Sequence, residues 1–346
     1  MAYTTIDNPE LNFQVKTYTG NGSTNAITLD GDENMQPDMV WLKSRSYTDN
    51  HVVHDSVRGS TKRVFPNLDQ AEGTESTSVT SFDSNGFTLG ADGIANGSSG
   101  KTYVAWNWLA GGSASSDSNG SITSSVSANT TAGFSIVSWT GSGANATVGH
   151  GLGAVPKMII VKNRADAINW QVYHQEIGND HSIFLDLTNG KDGGSFYWND
   201  TTPTSSVFSV GTYNGSNGSS DNMIAYCFAE KQGYSKIGKY VANGNSDNAF
   251  VYTGFRPTFL LTKLSSTSGG GWEIVDSKRD GYNGENNRLY PNDSAGEGTG
   301  NDYDLLSNGF KVRQSGGSQQ SGRTNIYMAF AKSPFVNSNG VPCNAR

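Results

Sequence analysis

The chain is poor in cysteine, proline and charge. Its 346 residues include two cysteines, Cys227 and Cys343, and nine prolines, and charged residues make up 16% of the sequence. Two cysteines are too few for a disulfide framework, which favours assembly in a reducing cytoplasm. Globular chains carry about a quarter charged residues, so Ser, Thr, Asn and Gly must supply much of the polar surface here. These residues favour turns and strands over helices.

Long apolar runs and clusters of basic residues are also missing. No stretch approaches the length that spans a bilayer, and the N-terminus has neither the basic nor the apolar region of a secretory signal. The net charge is −7, so we expect neither a nucleic-acid partner nor membrane insertion. Hydrophobic residues make up 34% and aromatic residues 11% of the chain, which is enough apolar material for packed cores.

What the sequence does contain is a threefold repeat. A Pro followed by an apolar run and a Lys recurs at residues 37–43, 156–162 and 257–263. Each copy ends about 65 residues later in a strand whose alternate residues are large and apolar, a pattern that predicts one face on a core. These residues are Val104, Trp106 and Trp108, then Ile224, Tyr226 and Phe228, and then Ile326, Met328 and Phe330.

The repeat predicts an all-β fold of three tandem β-sandwich or jelly-roll-like units of about one hundred residues. The predicted segments are an N-terminal anchor 1–12, repeat one 13–110, a Gly/Ser-rich linker 111–132, repeat two 133–230, repeat three 233–335 and a C-terminal tail 336–346. Because the linker is almost entirely small and polar, we expect it to be flexible. Repeats two and three should then form one rigid body, with repeat one freer to move.

Metal and cofactor chemistry has little support in the sequence. Asp30, Asp32 and Asn34 place oxygen atoms at alternate positions, as in a calcium loop, but the Gly and Glu that such a loop requires are missing. An acidic turn is therefore the interpretation we favour, and no cofactor is expected. In the repeat alignment Asp55 corresponds to His174 and Asp276, so we expect this position to be structural.

Contact residues for a receptor or glycan can be suggested from the aromatic and amide residues. Trp170 and Trp272 occupy equivalent positions, where each is either a stacking platform for a sugar or, as we favour, a core side chain. Tyr282 and Asn283 lie in a polar loop and are the other candidates.

Paired carboxylates would be required for glycoside hydrolysis, held at a fixed separation across the sugar. One loop-rich stretch contains four acids that are candidates for this role: Glu285, Glu297, Asp302 and Asp304. No acid pair recurs across the repeats, and nucleophile elbows and phosphate loops are missing. We therefore expect no catalytic residues and no enzymatic activity.

Several strings in the chain resemble a known family. The segments 55–59 (DSVRG), 149–164 (GHGLGAVPKMIIVKNR), 226–230 (YCFAE) and 308–311 (NGFK) are similar to repeat-bearing virion proteins of tailed phages of aquatic bacteria, which are described as tail-fibre or structural proteins. The resemblance covers nearly the whole chain apart from about the first dozen residues and the linker. None of its motifs is catalytic.

The resemblance implies a virion protein that assembles in the host cytoplasm and needs no secretion signal. Its expected role is that of a tail-fibre or baseplate component for host attachment. The alternatives are a capsid decoration or head-fibre protein and, less favoured, a glycan depolymerase. Expected partners are other virion proteins and a host surface glycan or protein. A homotrimer is the expected oligomer, and its rival is an internal threefold arrangement of the three repeats within one chain.

Overall fold

The protein is all-β, as predicted. A computed structural model describes residues 2–98, 100–279, 283–284 and 286–343, and strands take 43% of it against 5% for helices. The described α-helices are single turns, α1 (Ser195–Trp198) and α2 (Asn214–Asn217), and 3-10 turns occur at Pro9–Leu11, Gln175–Ile177 and Gly317–Gln319. None of the helices in this part of the chain is long and apolar enough to cross a membrane.

The strands fall into three successive sets. Unit one contains β1 (Phe13–Thr19), β2 (Asn25–Thr28), β3 (Met39–Ser44), β4 (Val52–Asp55), β5 (Lys62–Arg63), β6 (Gly73–Thr74), β7 (Val79–Asp83), β8 (Gly86–Leu89) and β9 (Thr102–Trp108). Unit two follows with β10 (Ser115–Asp117), β11 (Ser124–Asn129), β12 (Phe134–Thr140), β13 (Ala146–Gly149), β14 (Met158–Asn163), β15 (Gln171–His174), β16 (His181–Phe184), β17 (Asp192–Gly193), β18 (Val207–Val210) and β19 (Asn222–Phe228). Unit three contains β20 (Ser235–Val241), β21 (Phe250–Tyr252), β22 (Phe255–Leu264), β23 (Trp272–Asp276), β24 (Asn286–Arg288), β25 (Gly298–Gly300), β26 (Tyr303–Leu306), β27 (Gly309–Val312) and β28 (Thr324–Pro334).

Each unit pairs an inner antiparallel sheet with a smaller outer one. The inner sheets share one strand order in all three units: β1-β9-β3-β4, β12-β19-β14-β15 and β20-β28-β22-β23. In unit two these four strands are the middle of an eight-stranded sheet, which continues with β11 and β10 on one side and with β16 and β17 on the other. The outer sheets are β2-β8-β7 in unit one and β21-β27-β26 in unit three. In unit two the outer sheet is the pair β13-β18, and the single-turn helix α1 packs beside β18.

The inner sheets bury both of their faces. On one face, residues such as Ala105, Cys227 and Ala329 pack into the core of their own unit. On the other face, the alternating large residues that mark the sequence repeat all enter one core shared by the three units. This second burial explains why the last strand of each unit is apolar on both faces.

Three aromatic rings mark the centre of the shared core. The ring centroids of Trp108, Phe228 and Phe330 are 6.4, 6.1 and 5.9 Å apart, which is close to an equilateral triangle. Each ring comes from the equivalent position in the last strand of its unit. The chain is therefore arranged around an internal pseudo-threefold axis, with unit one contributing to the core as fully as the other two.

The segment 111–132 differs from the linker that its composition suggests. Residues 115–117 and 124–129 are the strands β10 and β11, and β11 pairs with β12 from Ser125 to Asn129. Val126 is buried in the core of unit two. Small polar residues take up strand structure here because the exposed edge of β12 supplies backbone partners, a tertiary effect that outweighs propensity.

The N-terminal segment, expected to be an anchor, lies against unit three. The Tyr3 hydroxyl donates to the backbone oxygen of Gly254 at 2.8 Å, and the Asp7 carboxylate accepts hydrogen bonds from Ser338 in the C-terminal tail. Thr4 and Ile6 are buried. The segment thus closes the ring of units on the side where unit three meets unit one.

Candidate functional site

A buried aspartate–arginine pair joins unit one to unit two. Asp55 ends β4 and Arg58 lies three residues later, so that Arg58 Nε is 2.5 Å from Asp55 Oδ2, and both side chains are fully buried. From unit two, the Tyr226 hydroxyl donates to the same carboxylate oxygen at 2.7 Å. Such a pair persists in an interior when each charge has its counterpart and further hydrogen bonds.

The same arrangement joins unit three to unit one. Arg279 Nε lies 2.6 Å from Asp276 Oδ2, again with both side chains fully buried. Trp106 of unit one donates its indole N–H to that carboxylate at 2.9 Å, from the position equivalent to Tyr226. The Asp-x-x-Arg motif therefore forms a buried contact between neighbouring units.

Unit two carries a neutral version of this device. His174 and Ile177 occupy the equivalent positions, and His174 Nε2 lies 3.3 Å from the backbone oxygen of Tyr327 in unit three. Burial lowers the pKa of His174 to about 4, so the imidazole is neutral at pH 7. The position opposite is held by Met328, which has no polar group to pair.

A second ring of ion pairs surrounds the two buried ones. Glu72 of unit one receives Arg164 of unit two at 2.7 Å and also contacts Arg58. Glu297 of unit three receives Arg45 of unit one at 2.8 Å and also contacts Arg279. Both glutamates also donate a backbone N–H to the arginine of the next unit, at 2.9 and 2.7 Å.

The repeated Pro-to-Lys motif places a buried lysine in each unit, and two of these lysines donate hydrogen bonds across a junction. Lys162 Nζ donates to the backbone oxygen of Asp69 in unit one, and Lys263 Nζ donates to that of Leu187 in unit two. Burial lowers the pKa of Lys43 and Lys162 to about 8 and that of Lys263 to about 7. Lowered lysine pKa values also occur in catalytic sites, but these side chains are at most 1% exposed and donate to backbone carbonyls. Their arrangement is structural.

Trp170 and Trp272 are core residues and do not form a sugar-stacking surface. Each is 1% exposed. Their indole N–H groups donate across junctions, from Trp170 to the backbone oxygen of Phe65 at 2.9 Å and from Trp272 to that of Phe184 at 2.8 Å. Because the rings face the shared core, stacking on a sugar would require the units to separate.

The suggested calcium loop is an ion-paired turn. The Asp30 carboxylate lies 3.2 Å from Lys16 Nζ and 3.1 Å from Lys278 Nζ, while Asp32 and Asn34 are exposed. Within the described residues no group of three or more His, Cys, Asp or Glu side chains could hold a metal ion.

The loop acids of unit three are paired with arginines. Asp302 lies 2.9 Å from Arg288, and Asp304 lies 2.5 Å from Arg313. Glu285 falls outside the described residues. Burial raises the pKa of Asp302 and of its neighbour Glu273, a pair that sequence reasoning missed, but neither lines the depression or the groove described below.

Asn283 lines a shallow surface depression of about 430 Å³ together with Ser246, Asn301, Asp304 and Arg313. Its side chain both donates to and accepts from the backbone of Leu305, at 3.1 and 2.9 Å. Tyr282, the other candidate in this loop, lies outside the described residues.

Two exposed aromatics lie on the outer sheet of unit three and were missed from the sequence. Phe250 is 47% and Tyr252 is 55% exposed, whereas Val251 between them is buried. The alternation in Phe-Val-Tyr was the available signal, since a three-residue strand with one buried residue must expose its neighbours. The strand register places Phe250 opposite Lys311, and Lys311 opposite Asp304, so the aromatics adjoin the depression that Asn283 lines.

A separate groove lies between units three and one. It has a volume of about 150 Å³ and is lined by the edge strand β1, the Asp30 turn, and the start of β22 and end of β28. Charged side chains dominate its walls: Glu10, Asp30, Arg256, Lys278 and Lys332. No equivalent groove was predicted from the sequence.

These features define an all-β protein of three sandwich units joined around a shared core by ion pairs and buried lysines. The chain belongs to a family described as a domain of unknown function, DUF7483, whose family model matches residues 8–334. A search of curated proteins finds no match.

Proposed function

We propose that the protein is a non-enzymatic structural and adhesive component of a tailed-phage particle, placed on the tail fibre or baseplate, where it contacts the host surface. The virion assignment rests on the sequence resemblance. The contact surface is assigned to the outer sheet of unit three, and the exposure of Phe250 and Tyr252 is the observation that carries it.

The other two units form the equivalent outer sheet without aromatics at these two positions, and in unit three the hydroxyl of Tyr252 lies 3.4 Å from that of Tyr3. The strand registers make Phe250 equivalent to Ala26 in unit one and Thr147 in unit two, and Tyr252 equivalent to Thr28 and Gly149. Units one and two thus form the same sheet with small side chains. Exposed aromatics beyond the needs of packing are a mark of interaction surfaces.

The surroundings of these rings suit a carbohydrate. Sugar rings stack on exposed aromatic faces, and their hydroxyls take hydrogen bonds from charged and amide side chains. Lys311 and Asp304 lie on the same face of the sheet, and Asn283 and Arg313 line the adjoining depression. A host surface glycan is therefore the proposed ligand of this surface.

Binding to host cells tests the contact surface. Labelled protein carrying Phe250→Ser and Tyr252→Ser should bind cells roughly tenfold more weakly than the unchanged chain, because truncated hot-spot aromatics typically cost more than 1 kcal/mol each. Tyr47→Ser is the matched control, since Tyr47 is 53% exposed but lies in unit one. Equal binding by the double variant and the control would contradict the assignment.

Electron microscopy of antibody-labelled particles tests the place on the virion. Label at the tail or baseplate is expected, whereas label spread over the shell would indicate a decoration protein and label on no particle would refute the virion assignment.

Native mass measurement tests the homotrimer that the resemblance implies. A monomer at micromolar concentration would contradict the homotrimer. The internal arrangement of the three units would then be the only threefold arrangement of the protein.

A further inference from the structure

The three junctions between units differ in how they complete one strand edge. The first strand of each inner sheet is β1, β12 or β20, and its outward N–H and C=O groups need partners from outside the sheet. Val15, Ile136 and Ile237 are equivalent residues on these edges, because they pair with Trp106, Tyr226 and Met328. The partners of these three residues can be compared directly.

The edges of β12 and β20 are completed by the chain itself. At β12, the strand β11 pairs along the edge, with Ser127 opposite Ile136. At β20, the Ile237 N–H donates to the Glu230 carboxylate at 2.8 Å, and its carbonyl oxygen accepts from the Gln175 amide at 2.9 Å. One edge thus uses a strand, and the other uses a carboxylate and an amide.

The edge of β1 is not completed in this way. The backbone carbonyl of Asn12 points toward β9, where it accepts a hydrogen bond from the Leu109 N–H at 2.9 Å. Because backbone groups alternate in direction along a strand, the N–H and carbonyl of Val15 point away from β9, toward the groove that Val15 lines. Within the described residues, these outward groups of Val15 have no hydrogen-bond partner. The equivalents of Glu230 and Gln175 are Lys332 and Ser277, which supply neither the carboxylate nor the reach of the longer amide.

The groove also carries surplus positive charge. Its walls hold three cationic side chains against two carboxylates. Glu10 pairs with Lys332 at 3.2 Å and Asp30 with Lys278 at 3.1 Å. Arg256, an exposed residue, has no carboxylate partner among the residues described. The groove therefore combines an unpaired guanidinium with an unpaired backbone N–H, and both are donors suited to a carboxylate.

We propose that this groove binds a small hydroxycarboxylate of the kind that a uronic acid residue of a polysaccharide presents. The ligand carboxylate accepts from the Val15 N–H, as Glu230 does for Ile237, and pairs with Arg256. Ligand hydroxyls donate to the Val15 carbonyl and reach the hydroxyl groups of Thr258 and Ser277.

The size of the groove favours a single sugar ring over a peptide strand. The groove has a volume of about 150 Å³, which suits a small ligand, and the two ion pairs Glu10–Lys332 and Asp30–Lys278 lie in its walls. The site is separate from the outer sheet of unit three and does not depend on the virion proposal.

Calorimetric titration with sodium glucuronate tests the site, with glucose as the neutral ligand of the same ring. Glucuronate should bind and glucose should bind at least about tenfold more weakly, since a charge-assisted pair is worth more than 1.4 kcal/mol. Arg256→Gln should weaken glucuronate binding by a similar factor. Arg323→Gln is the matched control, because Arg323 is a partly exposed arginine of the same unit that lies outside both the groove and the depression, and it should leave binding unchanged.

A second variant fills the groove with the chain's own groups. Lys332→Glu combined with Ser277→Gln recreates the Glu230 and Gln175 pattern and should abolish glucuronate binding. Equal affinities for glucuronate and glucose, or unchanged binding by both groove variants, would overturn the proposal. Binding of an acidic peptide in place of glucuronate would overturn it as well and identify a protein partner.

Discussion

Two of the junctions between units contain a buried aspartate–arginine pair, and the third has a neutral histidine and an isoleucine at the same backbone positions. At the junction of units one and two the residues are Asp55, Arg58 and Tyr226, and at the junction of units two and three they are His174, Ile177 and Met328. The charged pair is lost together with its hydroxyl partner. The junction can therefore be built with either the charged or the neutral set of residues, provided that all three positions change together. This is expected because a buried ion pair can be replaced as a whole by neutral groups, whereas removing one partner leaves a buried charge unpaired.

Removing one member of a buried pair should have the largest effect. Asp55→Ala leaves the buried Arg58 with Glu72 at 3.2 Å as its remaining carboxylate partner, and loss of the close pair should lower the free energy of unfolding by about 3 kcal/mol. His174→Ala, at the equivalent neutral position, should cost clearly less because no charge is left uncompensated. Denaturant unfolding measures both, and equal losses would show that the ion pair has no special role.

Acid should weaken the neutral junction through its histidine. The folded pKa of His174 is lowered to about 4 by burial, below the ordinary value of about 6.5, so the unfolded chain binds the proton first. Its contribution is complete above pH 6.5 and is lost as the pH falls toward 4, by about 3 kcal/mol in all. His54, whose pKa burial lowers to about 3, adds to the same trend.

Unfolding measured between pH 7 and pH 4 gives the slope for the unchanged chain and for His174→Asn. The variant should be less stable at pH 7 and show a shallower loss toward acid. An unchanged slope would mean that His174 has the same pKa in the folded protein as in the unfolded chain.

Converting the charged junction into the neutral one should have a smaller effect than breaking it. Asp55→His, Arg58→Ile and Tyr226→Met together reproduce the residues of the neutral junction. The triple variant should lie within about 2 kcal/mol of the unchanged chain, since complete replacement of a buried ionic cluster is often close to neutral. Denaturant unfolding again decides, and a triple variant as unstable as Asp55→Ala would show that the two junctions are not interchangeable.

The smallest effect is expected on the outer sheet. Phe250→Ser with Tyr252→Ser should change the free energy of unfolding by no more than about 0.5 kcal/mol per residue, because both side chains are exposed and their equivalents in unit one are small. A larger loss in thermal unfolding would mean that the rings stabilise unit three and are not free for a ligand.

The repeated motifs predicted the position and type of many strands, because the alternation of large apolar residues that marks a buried strand face is visible in the sequence. The residues Val104, Trp106 and Trp108 were expected on one buried face, and they are buried. What alternation cannot say is which core a face enters. The trio packs against units two and three, whereas the intervening Ala105 packs within its own unit.

Predictions from composition were wrong where contacts with distant parts of the chain determine the local structure. The Ser- and Gly-rich segment 111–132 contains two strands because an unpaired edge lies beside it. Trp170 and Trp272 were considered as contact residues, but their positions at the junctions bury them. Phe250 and Tyr252 escaped notice because a three-residue strand offers little periodicity.

The all-β class, the threefold repeat and the buried faces of the terminal strands could be predicted from local residue patterns. Sheet packing is what closes the three units around one axis and brings Asp55 and Asp276 against groups of the next unit. It also leaves the outward backbone groups of Val15 without a hydrogen-bond partner among the described residues. These features join residues as far apart as Asp55 and Tyr226, and such contacts depend on how the sheets pack against one another, which local alternation does not encode.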